Sequence, residues 1–152
     1  VEGNAPSVML PVPTEGQDIV ADFAAIGLTL KRHPLALLRG HLQRRGVVPV
    51  EQVRVWEHGG LIRIPGIVIG RQRPSSAHSV TFVTLEDETG QANLVVWKQV
   101  AERQRQVLLG ARLLAVVGEV QREGEVVHVI ARWLQDYTVL LGGLVTRSRD
   151  FR

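Results

Sequence analysis

From Leu61 onward the chain changes period. Before that point apolar residues recur every three or four positions; after it they alternate with polar ones, and glycine-bearing turns cut the alternation into short runs. Leu61 to Arg73 reads as a long strand with Gly66 in its middle, a place where strands bulge and bend. Val80 to Asp87 is a second strand, Glu88-Thr89-Gly90 a tight turn, and Gln91 to Trp97 a third strand. A helix over Lys98 to Leu108 stops before Gly110. Arg112 to Gln121, the turn Arg122-Glu123-Gly124 and Glu125 to Trp133 complete the series.

Three strands, one helix and two strands is the order of a mainly β architecture, the five-stranded Greek-key OB-fold barrel with a helix between strands 3 and 4. Gly66 suits the coiling of a first strand that must pair at both ends, and Gly118 suits a similar bend in the fourth. Ahead of the barrel the pattern is helical. Thr14 and Gln17 form a capping pair, Ile19, Phe23 and Ile26 share a face, and Gly27 ends that helix. Leu28 to His33 is extended, as the residue before Pro34 must nearly be. Pro34 opens a second helix whose Leu35, Leu38 and Leu42 form a stripe ending at Gly46, and a third runs from Pro49 to Trp56. The chain therefore divides into a flexible start over 1–17, a helical connector over 18–57, the barrel over 58–137 and a partly ordered tail over 138–152.

Several function classes drop out at once. With no Cys, there is no disulfide, thiolate metal site or Cys nucleophile. The longest apolar runs, such as Leu113 to Val117, fall far short of the ~20 residues that span a bilayer, and no apolar leader opens the chain. A cytoplasmic chain without membrane contact is the expectation. The five His show no metal-ligand spacing, and no phosphate-binding glycine loop or nucleophile elbow is present. No catalytic residue, metal or cofactor is expected.

Charge points the other way, toward a polyanion. The formal net charge is +3, and of the eighteen basic side chains only Lys31 and Lys98 are lysines. A GC-rich codon bias would produce the same excess, so composition alone leaves both explanations open. Position favours binding. Residues 1–30 carry Glu2, Glu15, Asp18 and Asp22 and no Lys or Arg, whereas 31–54 carry six basic residues against Glu51.

In the second strand Val83 and Leu85 are assigned to the core, leaving Val80, Phe82 and Thr84 outside. In the third, Ala92, Leu94 and Val96 face in and Gln91, Asn93 and Val95 face out. Phe82 beside Asn93 then makes a base-stacking platform. The loop from Arg71 to His78 contributes Arg71 and Arg73, and the last turn contributes Arg122, to grip phosphates of a single strand. Trp97 is expected beneath the barrel, and Trp133 and Tyr137 against the helical part.

The run from Phe82 through Leu85-Glu86-Asp87-Glu88-Thr89-Gly90 to Trp97 resembles the OB domain of bacterial C-family DNA polymerases of the alpha-subunit type. His33-Pro34-Leu35, Arg71-Gln72-Arg73-Pro74, the block from Leu108 to Val116 and the ending Thr146 to Phe151 resemble its error-prone, damage-inducible branch. The resemblance implies a C-terminal fragment, with the metal-binding catalytic carboxylates upstream and a connector arriving from a helix-hairpin-helix region. It implies single-stranded template DNA as the partner, and a translesion role in SOS mutagenesis beside an inactive Y-family-like protein and, indirectly, the sliding clamp. The alternative is a docking module that recruits partners through the basic segment 31–54 and Leu140 to Val145. Anticodon binding, which the strand motif alone would also fit, is the more distant option.

Overall fold

One strand, β1 (Leu61–Gln72), belongs to both ends of the sheet. Its first half pairs antiparallel with β4 (Leu113–Glu123), from Leu61 opposite Glu119 to Ile67 opposite Leu113. Its second half pairs with β2 (Val80–Asp87), from Ile67 opposite Glu86 to Gln72 opposite Phe82. With β3 (Gly90–Trp97) and β5 (Val126–Asp136), the computed structural model closes a five-stranded barrel in the order β1-β2-β3-β5-β4 among the described residues. Those residues are 33–74 and 79–142. The expected helix over 14–27, the extended stretch before His33, loop residues 75–78 and the tail beyond 142 lie outside them.

Coiling so tightly brings neighbouring strands against β1. A Cβ on Gly66 would sit 2.5 Å from Leu85 Cβ, so the position admits no side chain while β2 keeps its course. The register slip itself falls later, between Val68 and Gly70, rather than at Gly66 as the sequence suggested. Gly118 lies where expected, at a slip between Val117 and Gly118, and its Cβ would meet Val129 Cγ1 at 2.5 Å.

β3 and β5 run parallel and pair only at Leu94 with Val129 and Val95 with Ile130. Past these pairs a gap opens, and two short helices close it, α3 (Lys98–Arg103) and α4 (Arg105–Gly110). A single helix was expected; it breaks at Gln104, with φ −118° and ψ 37°. The buried Gln104 side chain donates from Nε2 to Leu134 O and accepts at Oε1 from Leu134 N, both at 2.8 Å. It thus supplies the ladder bonds that β3 no longer can.

The connector and the start of the tail share a second core. Leu35 of α1 (Pro34–Leu37), Leu42 of α2 (Arg39–Arg44) and Leu38 at the joint between them pack with Val47, Leu113 and Leu141, all buried. Gly46 ends α2 with φ +76°. The expected third helix is a 3-10 turn, Val50–Arg54. A charged clamp fixes this layer to the β2–β3 turn. Arg39 donates from Nε and Nη2 to the Glu88 carboxylate at 2.7 and 2.6 Å, and from Nη2 to Asp87 Oδ2 at 3.1 Å. Asp87 is buried and also accepts from the backbone N–H groups of Val50 and Thr89. Burial pushes the Glu88 carboxyl up, but the Arg39 bonds and charge together outweigh it and hold it below the usual carboxylate range.

Candidate nucleic-acid interface

Strand alternation decides what the barrel offers to solvent. Val83, Leu85, Ala92, Leu94 and Val96 lie in the barrel core, so Val80, Phe82 and Thr84 of β2, and Gln91, Asn93 and Trp97 of β3, take the outer register. Val95 shares that register but is buried, not exposed as the sequence suggested. Phe82 stands opposite Val95, with Gln72 of β1 on its other side and Ile130 of β5 beyond Val95. One row therefore crosses four strands. In the next row Thr84 is opposite Asn93, and its hydroxyl donates to Asn93 Oδ1 at 3.3 Å. At the other end Val80 is opposite Trp97. Trp97 is 47% exposed and shares the face with Phe82, a correction to the place beneath the barrel that the sequence suggested. The outward register simply continues to the last residue of β3.

The rim arginines have separate fates. Arg71 and Gln72 belong to β1, and pairing with Val83 puts Arg71 on the inward side of its strand. From there its guanidinium reaches the end of α4, donating to Leu108 O at 2.7 Å and Ala111 O at 2.5 Å. Burial, then the charge of Arg112, pulls its pKa down. Arg122 occupies the β4–β5 rim as expected, but Nη2 donates to the carbonyls of Val53, Arg54 and Trp56 at 3.3, 2.7 and 3.1 Å. Its backbone N–H donates to His58 Nδ1 at 2.9 Å. Both guanidinium groups hold structure together at the rim. Arg73 lies beyond the end of β1 and is exposed.

Two depressions flank the aromatic face. One, of about 230 Å³, is lined by Arg73, Ser79, Lys98 and Arg105 together with Arg71 and Glu102. The other, of about 590 Å³, lies between the 3-10 turn and the β4–β5 turn and is lined by Arg54, Gln91, Asn93, Arg122, Glu51 and Glu125. The first is strongly basic and the second mixed. Arg73 therefore lines one depression and Asn93 and Arg122 the other, while Phe82 lines neither. Among the described residues no three His, Asp or Glu cluster as metal ligands.

A closed five-stranded barrel with Phe82 and Trp97 on one outer face and a basic rim narrows the kinship sharply. Residues 62–137, half of the chain, match the family described as OB-fold nucleic acid binding domain. The chain belongs to that family. Over 151 residues this OB-fold domain and its flanks are 54% identical to an error-prone DNA polymerase of Alkalilimnicola ehrlichii, covering 99% of this chain and 14% of that protein. An error-prone DNA polymerase of an Azoarcus species is also 54% identical, over 95% of this chain and 14% of its own length. The chain thus spans about a seventh of these relatives. The asparaginyl-tRNA synthetase of Pyrococcus horikoshii complexed with asparaginyl-adenylate shares the fold, with a TM-score of 0.51 and 22% identity over 60% of this chain and 22% of that one.

In this OB-fold domain the sequence reading missed Trp97, Lys98 and Arg105. Counting alternation one residue further along β3 would have put Trp97 outside. Lys98 and Arg105 had no such signal, since their approach to Arg73 depends on how α3 and α4 sit under β1. Trp133 was also misplaced. It is 48% exposed, with the Arg103 guanidinium carbon 6.0 Å from its ring centroid, whereas Tyr137 packs on the helical layer as expected. No helix among the described residues is long and apolar enough to cross a membrane.

Proposed function

We propose that this OB-fold domain binds single-stranded DNA on the outer face of β2 and β3, and that in an error-prone polymerase it guides the template strand during synthesis past lesions. The observation that carries this reading is the shared outward register of Phe82 and Trp97, next to a depression ringed by Arg73, Lys98 and Arg105. The exposed Trp97 and the half-buried Phe82 give successive bases a flat surface, each stacked base contributing about 1–3 kcal/mol, while the cations neutralise the backbone. Thr84 and Asn93 lie alongside with polar groups for base edges. The error-prone polymerases among the relatives support the choice of DNA.

The docking alternative finds less support. Leu140 and Leu141, two of the apolar tail residues it needs, pack into the second core, and Leu141 is fully buried. Titration of a labelled oligothymidylate at several salt concentrations tests the proposal. Kd should rise with salt at a log–log slope near −0.7 in affinity per phosphate neutralised. Phe82→Ala should weaken binding about tenfold, by loss of one stacked base. Binding that is absent at low salt, or indifferent to both salt and Phe82→Ala, would overturn it.

A further inference from the structure

The outward face does not end at β3. The parallel pairs Leu94 with Val129 and Val95 with Ile130 put β5 in line beside it. Two residues beyond Val95 on β3 stands Trp97, and two beyond Ile130 on β5 stands Arg132. The slip that leaves Arg132 unpaired, with Val117 opposite Trp133 and Gly118 opposite Ala131, turns two successive residues of β5 outward. Arg132 and Trp133 are accordingly both exposed, between the buried Ala131 and Leu134.

Helix α3 links the two tryptophans. Trp97 is its N-cap and Arg103 its last residue. Arg103 donates from Nη2 to Arg132 O at 3.2 Å and lies over the Trp133 ring. A half-exposed Trp with a guanidinium held against it, on the same side of the barrel as Phe82 and Trp97, has the chemistry of a nucleobase-stacking station. An indole that only filled the core would turn in, as the buried neighbours Ala131 and Leu134 do. The surroundings suit a polyanion: Lys98 and Arg103 outnumber Glu102 on α3, and Arg132 neutralises Glu119 in an ion pair.

We infer that Trp133 and Arg103 form a further base-binding station, which extends the single-stranded nucleic-acid path from β2 and β3 across α3 onto β5. The inference rests on the proposed single-stranded DNA function. A strand long enough to pass Phe82 and Trp97 reaches Trp133, while a short one occupies only the first two aromatics.

The test compares two oligothymidylates, of ~4 and ~12 nucleotides, a span taken from the range of OB-domain site sizes, on the 152-residue chain. Trp133→Ala should weaken the longer oligonucleotide about tenfold and leave the shorter one within twofold. Trp133→Phe, which keeps a ring, should recover most of the loss, and Arg103→Ala should weaken the longer strand alone. Unchanged binding of both strands by Trp133→Ala, in a chain that binds them and loses affinity on Phe82→Ala, overturns the station while leaving the β2–β3 reading intact. A Trp133→Phe variant as weak as Trp133→Ala overturns it too, since the effect is then not stacking. Absence of binding in the unmodified chain instead defeats the β2–β3 reading itself.

Discussion

Arg122→Ala separates the two things a rim arginine can do. In the structure one nitrogen, Nη2, serves three carbonyls, and so ties the β4–β5 turn to the 3-10 turn and the approach to β1. Hydrogen bonds from a charged donor contribute about 1.5–3 kcal/mol each when they are independent. These are not independent: Nη2 has two hydrogens for three acceptors, and Arg54 is exposed and Arg122 half-buried. A net loss of roughly 2 kcal/mol follows, which for a chain of this length lowers Tm by about 4–8 °C. Thermal melting followed by circular dichroism measures it. If the guanidinium is a tie, the salt dependence of oligonucleotide affinity, measured well below Tm, should not change, whereas Arg73→Ala should flatten the log–log slope by about 0.7. The reasoning is refuted if Arg122→Ala melts within about 1 °C of the unmodified chain while its salt slope flattens like that of Arg73→Ala.

Three further outcomes follow from the packing. Gly118→Ala drives a methyl to 2.5 Å from Val129 Cγ1 and 2.6 Å from Ile130 O, and should lower the unfolding free energy in urea by about 1–3 kcal/mol. Gln104→Ala strips Leu134 of partners for both backbone groups at a buried site, and equilibrium unfolding should show a loss of roughly 2–4 kcal/mol. Glu88 is held below the usual carboxylate range, so its contribution is complete above the unfolded glutamate value of 4.5 and fades as pH falls through its lower folded value. Glu88→Gln should therefore flatten the acid limb of a stability–pH curve below about pH 4.5, measured by urea unfolding at stepped pH.

The barrel was legible because its information is local. Alternation in Val80–Asp87 names the buried face, and in the strand that follows it fails only at Val95, which is buried between Leu94 and Val96. Gly90 and Gly124, at φ +150° and +63°, mark the hairpin turns. The sequence order then leaves few closed arrangements. What escaped were features set by long-range fit. Nothing in the run from Lys98 to Leu108 shows a helix that must stop at Gln104, because the reason is the edge of β5 that β3 leaves without a strand partner at Leu134, thirty residues away. Likewise Gly66 reads equally well as a bulge or as a close approach, and only the position of Leu85 decides between them.

The site follows the same division. Phe82 and Asn93 needed only a period of two, and the outward side was legible from the apolar residues between them. The arginines needed more, since a guanidinium on a turn looks the same in sequence whether it meets phosphate or carbonyl. Pairing with Val83 sends Arg71 inward to the end of α4, and the return of β4 beside the 3-10 turn gives Arg122 three carbonyls. In a closed barrel this small, loops and short helices converge on the rim and leave carbonyls that strand ladders do not use. Long cations at strand ends are the side chains able to reach them. A basic rim in such a fold can therefore serve two purposes, and under the proposed function the phosphate contacts fall one step farther out, on the exposed Arg73 and on Lys98 and Arg105 of α3 and α4.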